Sequence, residues 1–515
     1  MKYIKGMDAI SDLVNLLNDT ERIDFRAYLK KKNKRHDVKN VRLFDLIETD
    51  DINAINKLYK SAKNRDSYHA LRKRLQENLL SFISQKVFEK HQHADYELLR
   101  LLVVSRYLLE NNLARLGFRC LDRAEGIAEN QESFSVLQEI LMLRLQFAHL
   151  DENLDLENLS SRFLLNQGHL IRESKMQLAY AFIRRELNEI QLKGKVIDLT
   201  KLIEEVIRRY KIAVVDFMSY KSLYHILFIA NEYAHINQNF GLVEKYVRKS
   251  YQIIESQMGD STGQVYYRLY VLYYLANFNL RSRDFQKSLS YLESMDLLLG
   301  EHKDFHGQFY YRKQLLLALN LHFSGEAEQA NEVLDAALAM KSAKAKLEDY
   351  YDLQLCKVMF QAQRGDRKCL SGIAMINHSD TWLEKKLGML WTIRKSLLEI
   401  LIYADFSSMD LASARIKSFR RRYRKYLIQT HEEKVLDYVS LLEKYFVNPA
   451  ILHNKSFQSR VIKLLELEEN RDLFNLSFIT WIIAKWEKAD SYELTLKYLE
   501  DQSGIFTDKN DVMAG

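Results

Sequence analysis

The sequence predicts an all-α protein: an α-solenoid of antiparallel helix pairs over residues 98–500, preceded by a small helical domain over 1–95 and followed by a polar tail over 501–515. Three observations carry this. Pro449 is the one proline in 515 residues, where average usage of about 5% would place roughly 26; with only 16 glycines, a turn-rich β fold is disfavoured. The length exceeds what one growing hydrophobic core sustains, so the chain splits into domains or extends as an array. Finally, the polar breaks between apolar-periodic segments recur at a fixed spacing, the mark of a helical repeat.

The N-terminal stretch has its own texture. Short helical segments are broken by KKKNKRHD at 30–37, ETDD at 48–51 and KNRD at 63–66. Its last segment, from Ser67 to about Lys90, spaces Leu71, Leu75, Leu79, Leu80, Ile83 and Val87 by threes and fours, an amphipathic helix leading into the array.

In the array, NQNFGLVEKY, SRDFQKSLSY, SGEAEQANEV, RGDRKCLSGI and SMDLASARIK align. Placing Asn239, Asp284, Glu326, Asp366 and Asp410 in register gives spacings of 45, 42, 40 and 44 residues. Each break is a tight turn between helices, where Gly, Asn or Asp supplies the turn and an acidic residue caps the next helix. Four residues later a small side chain, Ser288, Ala330 or Ala414, lets the helices approach, although Val243 and Leu370 depart from this. Ala276 and Ala318 stand on the preceding helices. The period extends to turns near Asn112, Asp155, Gly194, Pro449 and Asp490, for about ten pairs.

DFQKSLSYLESM and GEAEQANEVLDAAL resemble the second half of tetratricopeptide repeats, where an acidic or Gly turn precedes an apolar, small and aromatic ladder. The resemblance covers 220–420 best, in units longer than that repeat's 34 residues and without its signature Trp and Pro. It implies a right-handed superhelix with a concave groove for peptides or proteins. The N-terminal FRAYLKKKNKR and LRKRLQENLL carry no such resemblance.

Charge and chemistry narrow the function. Lys plus Arg number 76 against 69 Asp plus Glu, a net +7, too small to demand nucleic acid by itself. Cys120, Cys356 and Cys369 are odd in number and scattered, which fits a reducing compartment and supplies neither a disulfide framework nor a zinc site. The N-terminus lacks a secretory hydrophobic region. VYYRLYVLYYLANFNL carries Arg268 and falls short of the ~20 residues a bilayer needs. A cytoplasmic protein is expected.

Nucleotide-binding and hydrolase signatures such as G-x-x-x-x-G-K, G-x-G-x-x-G, H-E-x-x-H and G-x-S-x-G are absent. His91 and His93 have no further ligand nearby. Cys369, beside the Gly365–Asp366 turn, is the nearest thing to a nucleophile. No catalytic residue, metal or cofactor is expected.

Two features point to binding. Tyrosine pairs 266–267, 310–311 and 350–351 recur near the start of the first helix of each unit. One member of each pair buries at the repeat junction, and Tyr224, Tyr267, Tyr311 and Tyr351 are candidate aromatic anchors for a peptide. RIKSFRRRYRKYL at 415–427 holds seven basic residues and no acid. There Lys417, Arg420, Arg421, Arg424 and Lys425 surround an apolar stripe and form a candidate phosphate or acidic-partner site. Lys30, Lys31 and Lys32 form a second basic cluster, suited to a helix C-terminus.

The expected function is a non-catalytic scaffold or adaptor that binds a peptide or protein on the concave face. The alternative is a nucleic-acid-associated regulator that uses the basic clusters, with the repeats as sensor.

Overall fold

A computed structural model describes residues 8–32, 39–49, 65–90, 94–151, 154–193, 199–212, 220–237, 265–340, 346–430, 432–466 and 473–510. Among these residues the chain forms 23 α-helices and no strand. None of the helices is long and apolar enough to cross a membrane. Backbone contacts divide the chain into two compact units, 1–166 and 167–515.

The first unit opens with α1 (Asp8–Leu16), α2 (Asp19–Lys32), α3 (Lys39–Glu48) and α4 (Arg65–Lys90). Asn18 Oδ1 accepts the Glu21 backbone N–H at 2.9 Å while Glu21 Oε2 accepts that of Asn18 at 3.0 Å, a reciprocal cap that starts α2. Phe25 is fully buried, with its ring 5.0 Å from Phe44 and 5.1 Å from Phe82. From α4, Leu75, Leu79 and Phe82 enter this core, whereas Leu80, expected in the same stripe, stays 51% exposed.

Next come α5 (Ala94–Glu110), α6 (Ala114–Asn130) and α7 (Phe134–Gln146). Asn112 takes the left-handed conformation, φ 61°, at the α5–α6 turn. Gly117 permits the close approach that follows: a Cβ there would lie 2.7 Å from Leu109 Cγ.

Asp155 caps α8 (Leu156–Lys193) by accepting the N–H groups of Glu157 and Asn158 at 3.1 and 3.0 Å. The repeat spacing predicts a helix pair here, and the structure corrects that to one helix of 38 residues. The cause is local. The segment contains no proline and a single glycine, Gly168, whose cost of about 1 kcal/mol does not stop a helix rich in Leu, Arg, Glu and Gln.

The second unit continues through α9 (Leu199–Tyr210), α10 (Tyr220–Asn237), α11 (Val265–Arg281), α12 (Phe285–Glu301), α13 (His306–Phe323), α14 (Ala327–Ala339), α15 (Leu347–Gln363) and α16 (Lys368–Met375). After these come α17 (Asp380–Leu387), α18 (Met389–Phe406), α19 (Met409–Gln429), α20 (Glu433–Val447), α21 (Lys455–Glu466), α22 (Leu473–Glu487) and α23 (Ser491–Asn510). Helices α11–α12, α13–α14, α15–α16, α18–α19 and α22–α23 pack as neighbouring pairs. The first helices α11, α13, α15 and α18 also touch one another in succession.

The turn register is visible in atomic detail. Asp284 caps α12 through the Lys287 N–H at 3.1 Å, and Ser288 Oγ donates to the Ala276 carbonyl at 2.8 Å where the two helices cross. At the next unit Gly325 takes φ 94°, Glu326 occupies the cap position, and Ala330 and Ala318 are fully buried. Gly365, φ 71°, repeats the turn, and Asp366 accepts from Lys368 N at 2.9 Å from one residue ahead of the cap position, which Arg367 holds.

At the fifth break the register shifts by two. Ser408, not Asp410, caps α19, and Ala412 is the buried small residue while Ala414 is exposed. Counted from the cap, the spacing from Asp366 becomes 42. Downstream, Asp490 caps α23 and Pro449 opens a short 3-10 turn. Asn239, Val243 and Gly194 lie outside the described residues.

Candidate functional site

Where α13, α15 and α18 meet, polar groups sit among aromatic rings and are not absorbed into the core. Arg312 Nε, on α13, lies 3.0 and 3.1 Å from the two carboxylate oxygens of Asp349 on α15. Its guanidinium stands 5.5 Å from the Tyr270 ring and 5.7 Å from the Tyr273 ring, both on α11, within cation–π range. One turn along α15, Asp352 accepts the indole N–H of Trp391 on α18 at 2.8 Å. Trp391 in turn meets Tyr351 edge-on at 6.0 Å.

The electrostatics follow from crowding. Burial, and then the neighbouring carboxylate of Glu348, push Asp352 up to about 7, and Asp349 adds to this while the Trp391 hydrogen bond opposes it. Burial works against the charged form of Arg312, but the Asp349 carboxylate and the neighbouring Tyr273, Tyr270 and Tyr274 together outweigh it and hold the guanidinium above its usual pKa. Burial pushes Tyr273 up to about 12. The result is a cluster in which the carboxyl groups of Glu348, Asp349 and Asp352 and the Arg312 guanidinium stand close to several ring faces, and Asp352 within it is only partly shielded from solvent. An acid perturbed by burial and by specific charged neighbours makes this cluster a candidate site.

The four tyrosines named from sequence occupy four different settings. Tyr224 is buried, its hydroxyl 2.9 Å from that of Tyr180, and its ring packs 5.5 Å from Tyr267. Tyr267 is half-buried, edge-on to Tyr266. Tyr311 is 5% exposed and donates its hydroxyl to the Met340 carbonyl. Tyr351 is 8% exposed beside Trp382 and Trp391. In the last two pairs it is the neighbour, Tyr310 or Tyr350, that stays half-exposed.

On α19 the seven cations separate into two groups. Arg415 pairs with Asp380 at 3.1 Å and Glu399 at 2.8 Å, Arg420 with Glu443 at 2.7 Å, and Arg422 with Glu384 at 2.6 Å. Lys417, Arg421, Arg424 and Lys425 are exposed and, among the described residues, make no ion pair. They follow the three- and four-residue steps of one helix face. At the end of α2, Lys32 donates to Asn78 at 2.9 Å, while Lys30 and Lys31 point to solvent.

The remaining candidates are quickly placed. Cys356 and Cys369 are buried; burial raises both thiols, Cys369 to about 11, away from the reactive thiolate. Among the described residues no three His, Cys, Asp or Glu side chains converge as metal ligands; His91 and His93 lie outside those residues.

Arg312, Asp349, Asp352 and Trp391 are the site residues that the sequence reading missed. A signal was present: Arg312 directly follows one tyrosine pair and Asp349 directly precedes the next, so opposite charges flank the pairs of consecutive units. No protein-family model, curated protein or solved structure matches the chain.

Proposed function

We propose that the protein is a cytoplasmic interaction scaffold, a tetratricopeptide-like solenoid that holds an extended segment of a protein partner along its row of first helices. The single observation that supports this reading is the Arg312–Asp349–Asp352–Trp391 constellation. Fixed charges and ring faces on successive helices offer small, directional contacts, the way an array recognises a peptide. Affinity purification of the tagged chain from its native cells, with nuclease present, tests it. A stoichiometric protein partner lost from an Asp352→Lys variant supports the scaffold, and recovery of no protein at stoichiometric level removes it.

A second reading rests on the four cations of α19 that make no ion pair among the described residues. They suit a phosphate-bearing chain, and hence a nucleic-acid-associated regulator. Binding through four phosphates falls with salt at a log–log slope of about −3.6, near 150-fold from 50 to 200 mM. Anisotropy of a labelled duplex oligonucleotide that shows no binding at low salt ends this reading.

A further inference from the structure

We propose that α5 is a self-association face, pairing antiparallel with α5 of a second copy of this chain. One side of the helix, with Leu98, Leu101, Ser105 and Leu109, is buried, and α6 packs against α5. The opposite side is apolar yet open: Leu99 is 43% exposed, Val103 68% and Tyr107 65%. Isolated exposed apolar residues are ordinary, but a contiguous strip along one helix marks an interface.

Spacing and charge identify the occupant. Arg100, Val103, Tyr107 and Glu110 follow the three–four–three steps of a two-helix seam. Arg100 and Glu110 are exposed and make no ion pair among the described residues. Glu110 ends α5, where the helix dipole disfavours an acid, and Arg106, one turn back, pairs with Glu139. Two copies run antiparallel about Ser105 set Arg100 against the partner's Glu110 and Val103 against the partner's Tyr107, in one register. A parallel pair sets like charges together instead. The strip is thus complementary to its own reversed image, as a two-fold interface requires.

The test uses the full chain in sedimentation equilibrium from about 1 to 100 μM, a range spanning ordinary weak dimers. The expected species is a dimer of the 60.9 kDa chain. Arg100→Glu and Glu110→Arg should each weaken it about tenfold, and the double variant should restore it, since swapping both charges rebuilds both pairs in an antiparallel dimer alone. Val103→Asp should abolish it. All three positions are solvent-exposed, so circular dichroism should show unchanged folding. A monomer throughout the range, or a double variant no tighter than the singles, overturns the proposal; so does a dimer indifferent to Val103→Asp.

Discussion

Tyr492 donates its hydroxyl to the backbone carbonyl of His322 at 2.7 Å, across 170 positions of sequence. The bond fastens the start of α23 to the end of α13, and Leu496 reaches to 4.0 Å of the position a Gly325 Cβ would take. His322 lies beneath, stacked 3.6 Å from the Phe360 ring, with Nε2 2.9 Å from Gln363 Oε1. The last helix pair is therefore tied to units far upstream, not only to its neighbour.

Tyr492→Phe should destabilise the protein by about 0.5–1.5 kcal/mol, because it removes one buried hydrogen bond while keeping the ring, the His322 carbonyl retaining the Gly325 N–H at 3.2 Å. Urea unfolding followed by circular dichroism measures it. A change within 0.3 kcal/mol would mean that α23 is not fastened there.

Acid should weaken the same region. Burial holds His322 down near 3 in the folded chain, against about 6.5 when unfolded. Above 6.5 both states are neutral and nothing is lost; below it the unfolded state alone takes up the proton, so stability falls as pH drops from 6.5 toward 3. One such group contributes a slope of up to about 1.4 kcal/mol per pH unit. Replacing the imidazole in His322→Gln should flatten the stability curve between pH 6 and 4.

Asp352 runs the other way. Its folded value near 7 exceeds the unfolded 3.8, so the native chain holds the extra proton between those limits, and stability declines as pH rises toward and through 7. Asp352→Asn keeps an acceptor for Trp391 and should stabilise at pH 8 by on the order of 1 kcal/mol, after allowance for partial solvent access. At pH 3 the variant and the parent should coincide. A stabilisation independent of pH would contradict the buried-charge account.

In the first unit, Glu125 is a buried carboxylate held by Arg144 at 2.7 Å and also by Arg162. Glu125→Ala leaves Arg144, whose side chain is 10% exposed, with Asp122 as its remaining carboxylate, and should cost about 1.5–3 kcal/mol. Hydrogen exchange resolved by segment should place the loss in α6 and α7 and leave α18–α20 protected.

Gly117→Ala is expected to cost about 1–3 kcal/mol, since a new methyl meets Leu109 Cγ at 2.7 Å within a tight helix crossing. The double variant with Leu109→Ala should lose less than the sum of the two single changes. Full additivity would show that the two side chains do not share that space.

How far sequence reached is a matter of range. Caps act over two or three residues, so Asp155, Asp284 and Asp490 were legible; Asp366 falls one residue before the cap position, held by Arg367, and Asp410 two after Ser408, where two competent capping residues stand close together. Extrapolating the period split α8 because periodicity records where breaks recur and not where a helix former overrides them. Side-chain partners 37 or 39 positions apart, Arg312 with Asp349 or Asp352 with Trp391, depend on how neighbouring helices rotate, which a spacing cannot supply. The same holds on α19, where distant carboxylates decided which cations stay open.

Ser288 donates to Ala276 on its own pair and accepts from Asn320 of the next at 2.9 Å, while Asn320 also reaches Leu316 O at 2.8 Å. Two adjoining blocks are thereby keyed, since the following unit carries Ala330 at the matching place and offers no hydroxyl. An array of interchangeable blocks tolerates shuffling, duplication and deletion; this junction does not, because moving α13 next to a pair with alanine at that place leaves its buried amide with the Leu316 carbonyl alone. The order of the units is thus written into the junction itself, and recombination among them is penalised before any partner is met.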